Sequence, residues 1–365
     1  MLRPRVNIAK LTPGIHGGID CRELTQLGIS PESVLDFSVS TNPFGPPPVM
    51  REALDGASIT CYPDSESAEL THLLAKKFDL SLEQILVGNG STELVRLVAS
   101  AYLDTGDRVL IPQITYAEYE VASHIAGAEV IMQPVREETN FRLDIAETID
   151  RLRRYQPRAI FLGNPNNPTG QYLSREEVKT VLSVFGDSLI VIDEAYIAFT
   201  EDLWSSTDLV KYGNLVILRS MTKDYALAGL RLGYAVAAEP IISVLKRVRP
   251  PWNVNTVAQK AGIIALNSND YLEECRYKIR RARQFLVEEL TNLGLPPLPS
   301  STNFFLVKVG KATEFRQALL RKGILVRDAT SFGLPDYIRL APRTLPECRK
   351  LIEAIKETGV DRHAR

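Results

Sequence analysis

The stretch Leu218-Arg219-Ser220-Met221-Thr222-Lys223 sets two hydroxyls and an amine at the end of an apolar run, and Gly229-Leu230-Arg231-Leu232-Gly233 follows it. Residues Asn214–Leu218 read as a buried strand. A lysine just past such a strand is commonly a solvated strand end. Held in a partly apolar pocket, it can instead shed its proton and attack a carbonyl carbon. Ser220, Thr222 and Arg231 carry two hydroxyls and a guanidinium, groups that grip a phosphate. An amine nucleophile beside a phosphate grip suggests a phosphorylated aldehyde as cofactor.

Five further stretches carry groups of this kind. Gly88-Asn89-Gly90-Ser91-Thr92-Glu93 joins a strand to a helix. Its glycines allow close backbone approach, and the first helical N–H groups point outward as an anion seat. A plain capped helix would read the same way. No third glycine stands where a dinucleotide fingerprint needs one, which weakens an NAD-binding reading, and no Gly-Lys-Ser/Thr follows for a P-loop. Tyr116-Ala117-Glu118-Tyr119 offers two aromatics, suited either to the core or to covering a flat ligand. Asn164-Pro165-Asn166-Asn167-Pro168-Thr169-Gly170 is rich in turn formers, and it lies on the ligand side of an open sheet. Asp193, in Asp193-Glu194-Ala195-Tyr196, ends an apolar strand and needs a partner, be it a salt bridge, a helix cap or a ligand. Arg339, in Tyr337-Ile338-Arg339-Leu340-Ala341-Pro342-Arg343, sits inside an apolar strand and is costly unless paired. Its planar fork fits a carboxylate with two parallel bonds, and a structural ion pair would serve as well.

In this order, these stretches resemble the fold-type I pyridoxal-phosphate (PLP) enzymes, in the branch of histidinol-phosphate aminotransferase and threonine-phosphate decarboxylase. The matching segments run from His16 to Arg343. The resemblance implies PLP as cofactor, with Lys223 as its Schiff-base lysine. It implies a phosphate held by Ser91, Thr92, Ser220, Thr222 and Arg231. It makes Asp193 the partner of the pyridine nitrogen and sets Asn167 and Tyr196 at the phenolic oxygen. Tyr119 would stack on the ring as a catalytic aromatic. Arg339 would bind the substrate α-carboxylate and Arg327 a substrate phosphate, with Arg343, His16 and Asn42 as further substrate contacts. Tyr62, in Cys61-Tyr62-Pro63-Asp64, matches a tyrosine that reaches the neighbouring subunit's cofactor phosphate, which implies a homodimer with shared active sites.

The substrate implied is a phosphorylated amino acid or amine. Four details lean towards threonine-phosphate decarboxylation, a step of cobalamin side-chain synthesis: His16-Gly17-Gly18, Asp36-Phe37-Ser38 leading to Asn42-Pro43, Pro251-Trp252-Asn253-Val254-Asn255, and Arg343. Ser40-Thr41-Asn42-Pro43 also departs from the Asn-Glu-Asn-Pro arm typical of histidinol-phosphate aminotransferases. Transamination of histidinol phosphate with 2-oxoglutarate, in histidine synthesis, is the alternative. A non-catalytic PLP-fold binding protein is the remote one, since Lys223 is present and no length is left for a DNA-binding domain.

The elements that must position these groups follow from the pattern of apolar runs. Ile85–Val87, Arg108–Ile111, Glu129–Met132, Ala159–Leu162, Leu189–Ile192, Leu215–Leu218 and Tyr234–Ala237 have strand length, with helical patterns between them. Continuous rather than alternating apolar strands mean both sheet faces are covered. The fold class expected is α/β, a large domain with a mostly parallel doubly wound sheet and a smaller C-terminal α/β domain. Residues 1–50, rich in Pro and Gly, read as an arm joining the small domain; 51–265 form the large domain and 266–365 the small one. A charged helix is expected over Asn269–Leu293, and Asp361–Arg365 reads as a frayed polar tail.

Composition narrows the class. A net charge of -1 points to neither nucleic acid nor an anionic membrane. No apolar run reaches spanning length. The four cysteines and four histidines are scattered, which argues against a metal site or a disulfide framework and suits a reducing cytoplasm.

Overall fold

The structure, a computed structural model of the chain, describes all residues except 1, 10, 185, 187, 202 and 359–365, and not the side chains of 52 and 53. The polar tail expected over Asp361–Arg365 lies outside the described residues.

In chain order the strands are β1 (Leu35–Asp36), β2 (Ile85–Gly88), β3 (Arg108–Pro112), β4 (Glu129–Gln133), β5 (Ala159–Gly163) and β6 (Leu189–Asp193). There follow β7 (Leu215–Ser220), β8 (Gly233–Ala237), β9 (Phe305–Lys308), β10 (Ile324–Leu325), β11 (Arg327–Asp328) and β12 (Tyr337–Leu340). Seven of them form one sheet in the order β2-β8-β7-β6-β5-β3-β4. β8 runs antiparallel to both neighbours, and the remaining pairs are parallel. The expected mostly parallel doubly wound α/β sheet is therefore present.

Its strands are apolar throughout because alternate residues feed two cores. Ile160, Leu162, Ile190, Ile192, Leu215 and Ile217 point into one, with the helices Ala68–Phe78, Arg175–Val184 and Thr256–Leu266. Ala159, Phe161, Leu189, Val191, Val216 and Leu218 point into the other, against Ser91–Tyr102, Glu118–Ala126 and Glu239–Val248. Burying each such Leu or Ile is worth about 1.5–3 kcal/mol, so a one-residue register slip in a central strand would misplace two cores at once.

A third core joins the C-terminal elements. The helix Asn269–Asn292 supplies Ala282, Leu286 and Leu290, and β9 and β12 supply Phe305, Val307, Ile338 and Leu340. β11, β12 and β9 form an antiparallel sheet in that order. Between Ile324 and Asp328 the chain carries two short strands: β10 pairs with β1, and the chain then changes sheet at the buried Val326 to enter β11. The arm is less irregular than its composition implies. It holds the helices Val6–Ala9 and Cys21–Leu27, the second capped by Asp20, whose carboxylate accepts from the Arg22 N–H at 2.8 Å. It also holds β1, and Phe37 just beyond β1 is fully buried in the third core.

Candidate active site

The carboxyl ends of β5, β6 and β7 open on two adjoining cavities, an inner one of about 90 Å³ and an outer one of about 570 Å³. Thr92, Tyr116, Asn167, Tyr196, Lys223 and Arg231 line both. Lys223 follows β7 by three residues, and its Nζ lies 5.9 Å from the Tyr196 ring centroid. Backbone bonds hold its position: its carbonyl accepts from the Asn42 N–H at 2.8 Å, and the Asn42 side-chain amide donates to the Asp224 carbonyl at 3.0 Å.

Ser91, Thr92, Ser220, Thr222 and Arg231 meet on the inner cavity. The helix Ser91–Tyr102 begins after Gly90, whose φ of 81° favours glycine, and no side chain caps it. Its first N–H groups are therefore left for an anion. Ser220 and Thr222 hydroxyls lie 2.7 Å apart. A side chain on Gly233 would put a Cβ 2.7 Å from the Arg219 carbonyl oxygen and 2.8 Å from the Ser91 nitrogen, so this close passage of β8 excludes one. The Arg231 guanidinium lies just above Gly90, 3.0 Å from where its Cβ would be. Four hydroxyls, a guanidinium and a helix N-terminus make a phosphate cradle.

At the other end of the inner cavity stands Asp193, 6 % exposed. Burial pushes its carboxyl up to about 6, although the Tyr119 hydroxyl donates to it at 3.0 Å and the Ala195 N–H at 3.0 Å. The neighbouring Glu194 points away and forms a buried pair with Arg219 at 2.7 Å. A buried carboxylate facing a cavity fits a cationic ring nitrogen. Asn167 accepts a hydrogen bond from Arg339, which leaves its amide nitrogen without a protein partner among the described residues.

Tyr119, expected to stack on the ring, also lines the inner cavity. Its ring lies parallel to Phe161 at 5.3 Å and is 2 % exposed, and its hydroxyl is spent on Asp193. Tyr116, which the sequence reading left without a role, lines both cavities, is half-buried, and bonds Thr92 at 3.0 Å. Burial pushes its phenol up to about 12.

The outer cavity brings together Arg327, Arg339 and His16. Arg339 is 5 % exposed; it donates to Asn167 and, at 2.7 Å, to the Ser38 carbonyl, and its Nε has no partner among the described residues. Arg327 is 7 % exposed and donates to the Ile15 carbonyl at 2.7 Å and to Ser331 at 2.6 Å. Burial, and then the like charge of Arg339, lower its guanidinium to about 10. Neither buried guanidinium makes an ion pair among the described residues, so the two suit anionic ligands. His16 pairs with Glu118 at 3.2 Å, and Glu118 also takes Arg96 at 2.6 Å.

Three expected site residues lie elsewhere. Arg343 lines neither cavity: past the end of β12 it bonds the Asp36 carbonyl at 3.2 Å and Glu347 at 2.9 Å, beside the capping box of the helix Leu345–Glu357. The signal that could have placed it is Thr344-Leu345-Pro346-Glu347, a capping-box spacing that calls for a charge partner at the helix start. Asn42 lines neither cavity and braces the lysine backbone instead. Tyr62 is 78 % exposed and stacks on Trp252 at 4.4 Å, away from this chain's own cavities.

The sequence pattern of the family described as aminotransferase class I and II matches residues 32–355. A histidinol-phosphate aminotransferase of Symbiobacterium thermophilum is 36% identical over 359 residues, covering 96% of this chain and 97% of its own. Among solved structures, histidinol-phosphate aminotransferase of Sinorhizobium meliloti, in complex with pyridoxal-5'-phosphate, aligns at a TM-score of 0.88 and 25% identity over 100% of this chain and 99% of its own. L-threonine-O-3-phosphate decarboxylase of Porphyromonas gingivalis aligns at 0.79 and 29% identity, over 89% and 99%. The phosphate cradle, the buried carboxylate and the lysine between them fit the cofactor this family uses. The chain belongs to the aminotransferase class I and II family and is a pyridoxal-phosphate-dependent enzyme.

Proposed function

We propose that this enzyme is a histidinol-phosphate aminotransferase, exchanging an amino group between histidinol phosphate and 2-oxoglutarate. The observation that carries the reading is the pair Arg327 and Arg339, both nearly buried in one cavity with Lys223. Such a pair serves an enzyme that receives a phosphate monoester in one half-reaction and a dicarboxylate in the other. The named relative at 36% identity supports the same reaction.

The sequence details that favour decarboxylation have local explanations. Arg343 is engaged with Glu347, so a two-arginine grip on the α-carboxylate loses one member. Trp252 stacks on Tyr62, Asn253 bonds Glu93 at 2.6 Å, and Asn255 caps the helix Thr256–Leu266. Threonine-phosphate decarboxylation remains as a second reading on the likeness to the Porphyromonas gingivalis enzyme.

In our reading the residues divide the work as follows. Ser91, Thr92, Ser220, Thr222 and Arg231 hold the cofactor phosphate. Asp193 keeps a proton on the ring nitrogen, and Tyr119 orients Asp193. Asn167 and Tyr196 donate to the phenolic oxygen, and Tyr116 covers the ring. Pyridoxal phosphate, bound there, supplies a sink for the electron pair left at the substrate α carbon. With the cofactor bound, the Lys223 amine would take the proton from the substrate α carbon and hand it to the cofactor's aldehyde carbon, on the far side of the shared nitrogen. Arg339 holds the carboxylate of the amino-group partner, and Arg327 the substrate phosphate. His16 serves the phosphate side by holding Glu118 and the arm in place. Tyr62 completes the site of a second subunit in a homodimer. The division into an arm of 1–50, a large domain of 51–265 and a small domain of 266–365 goes with this reading. So does a cytoplasmic setting, for Cys21, Cys61, Cys275 and Cys348 are all unpaired.

A paired product assay on the PLP-loaded enzyme tests the reaction. Glutamate formed from histidinol phosphate and 2-oxoglutarate is the expected outcome. CO2 and aminopropanol phosphate from L-threonine phosphate alone, with no glutamate in the first tube, would replace this reading by the second.

A further inference from the structure

A separate cavity of about 230 Å³ lies between the helix Asn269–Asn292 and the loop Ser300–Asn303. It shares no residue with the two cavities above. Arg276, Arg280 and Arg283 line it, spaced so that one helix face presents all three. Arg276 pairs with Glu273 at 2.6 Å and donates to the Thr200 carbonyl at 3.3 Å. Arg283 donates to the Ser300 carbonyl at 2.5 Å and makes no ion pair among the described residues. Arg280 has no ion pair or hydrogen bond among the described residues. The Nε atoms of Arg276 and Arg283 are buried and unpartnered among the described residues.

A second, independent feature is Thr200, which lines the cavity at 1 % exposure with its hydroxyl unpartnered among the described residues. The one carboxylate among the described lining residues, Glu201, is exposed. Burial lowers the Arg283 guanidinium, the mark of a cation held out of water without full compensation. Three guanidinium forks and a buried hydroxyl offer more donors than a planar carboxylate's two oxygens use; a tetrahedral oxyanion uses them better.

We propose that this cavity is a second anion site, which takes a phosphate dianion, free or as the phosphoryl group of a small monoester. Its wall backs onto the lysine site: Thr302 donates to the Tyr196 carbonyl at 3.4 Å and Asn303 to the Ser40 carbonyl at 3.2 Å. An anion bridging the helix and this loop would thus fix the backbone behind Tyr196.

The proposal does not rest on the reaction proposed above, because its readout is phosphate uptake. Calorimetric titration of the PLP-loaded enzyme with inorganic phosphate, at constant ionic strength, compares wild type, Arg280→Ala, Arg280→Glu and Arg327→Ala. Arg280 holds nothing else in place, so its variants fold, and Arg327→Ala removes phosphate binding at the substrate side. Arg327→Ala should retain one phosphate per chain. Arg280→Ala should weaken that phosphate by roughly tenfold and Arg280→Glu should abolish it. Equal binding by wild type and Arg280→Glu, or loss of all binding in Arg327→Ala, overturns the site. A parallel titration with glycerol phosphate tells the source: tighter binding than inorganic phosphate means a monoester fills the site, and equal or weaker binding means the free ion does.

Discussion

At the scale of single residues, Asp193 carries the most testable charge. Its carboxyl is raised from 3.8 to about 6 by burial. A carboxyl whose folded value exceeds its unfolded one binds more protons when folded, so stability falls as pH rises from about 4 to about 6. The whole effect is on the order of 3 kcal/mol. The cofactor-free protein should lose thermal midpoint across that window, and Asp193→Asn should lose less. With PLP bound, the cationic ring offsets the penalty and the two curves should converge. Parallel curves for the two cofactor-free proteins would mean that Asp193 is not the group held up. Tyr116 and Tyr119 show what the sequence hid at this scale. Which of two aromatics three residues apart faces the core depends on where the helix starts. It starts at Glu118 rather than at Tyr116, so Tyr116 precedes the first turn and remains at the cavity.

At the scale of elements, most of the design was readable. The central strands are largely continuous apolar runs, and five of the six site segments follow their carboxyl ends, where an open parallel sheet presents its loops. Less readable was the two-residue strand β1, because so short a pairing leaves no period to detect. Arg339 and Arg343 looked equivalent, yet β12 ends at Leu340 and Arg343 passes to the helix that follows. β8 offers the sharpest test of how elements build the cradle. Gly233→Ala should weaken PLP binding by roughly tenfold and destabilise by about 1–3 kcal/mol, since backbone on two sides blocks the added methyl. Gly229→Ala, with open space around the site of its Cβ, should change neither. Equal PLP dissociation constants for the two variants would remove the close passage from the account.

At the scale of the whole molecule, the arm fastens onto both halves of the chain. Asn7 donates to the His124 carbonyl at 2.7 Å, His16 pairs with Glu118 at 3.2 Å, and the Ile15 carbonyl receives Arg327 at 2.7 Å. Deleting residues 2–18 should therefore raise KM for the phosphorylated substrate by roughly tenfold, about 1.4 kcal/mol, and leave the cofactor absorbance in place. An unchanged KM would show that Arg327 needs no support from the arm. The pairing of β1 with β10 has a further consequence, one of timing. Leu35 lies against Ile324 and Asp36 against Leu325, so this segment waits for partners made much later in the chain. Closing so long a loop is slow relative to local contacts. The central sheet can assemble on the ribosome as its strands emerge in turn. The third core, with Phe37 at its heart, can close only after the segments through Ile355 have been made. Asn42, which braces the lysine, follows closely on β1, so the lysine site is finished only once the later partners of β1 are in place.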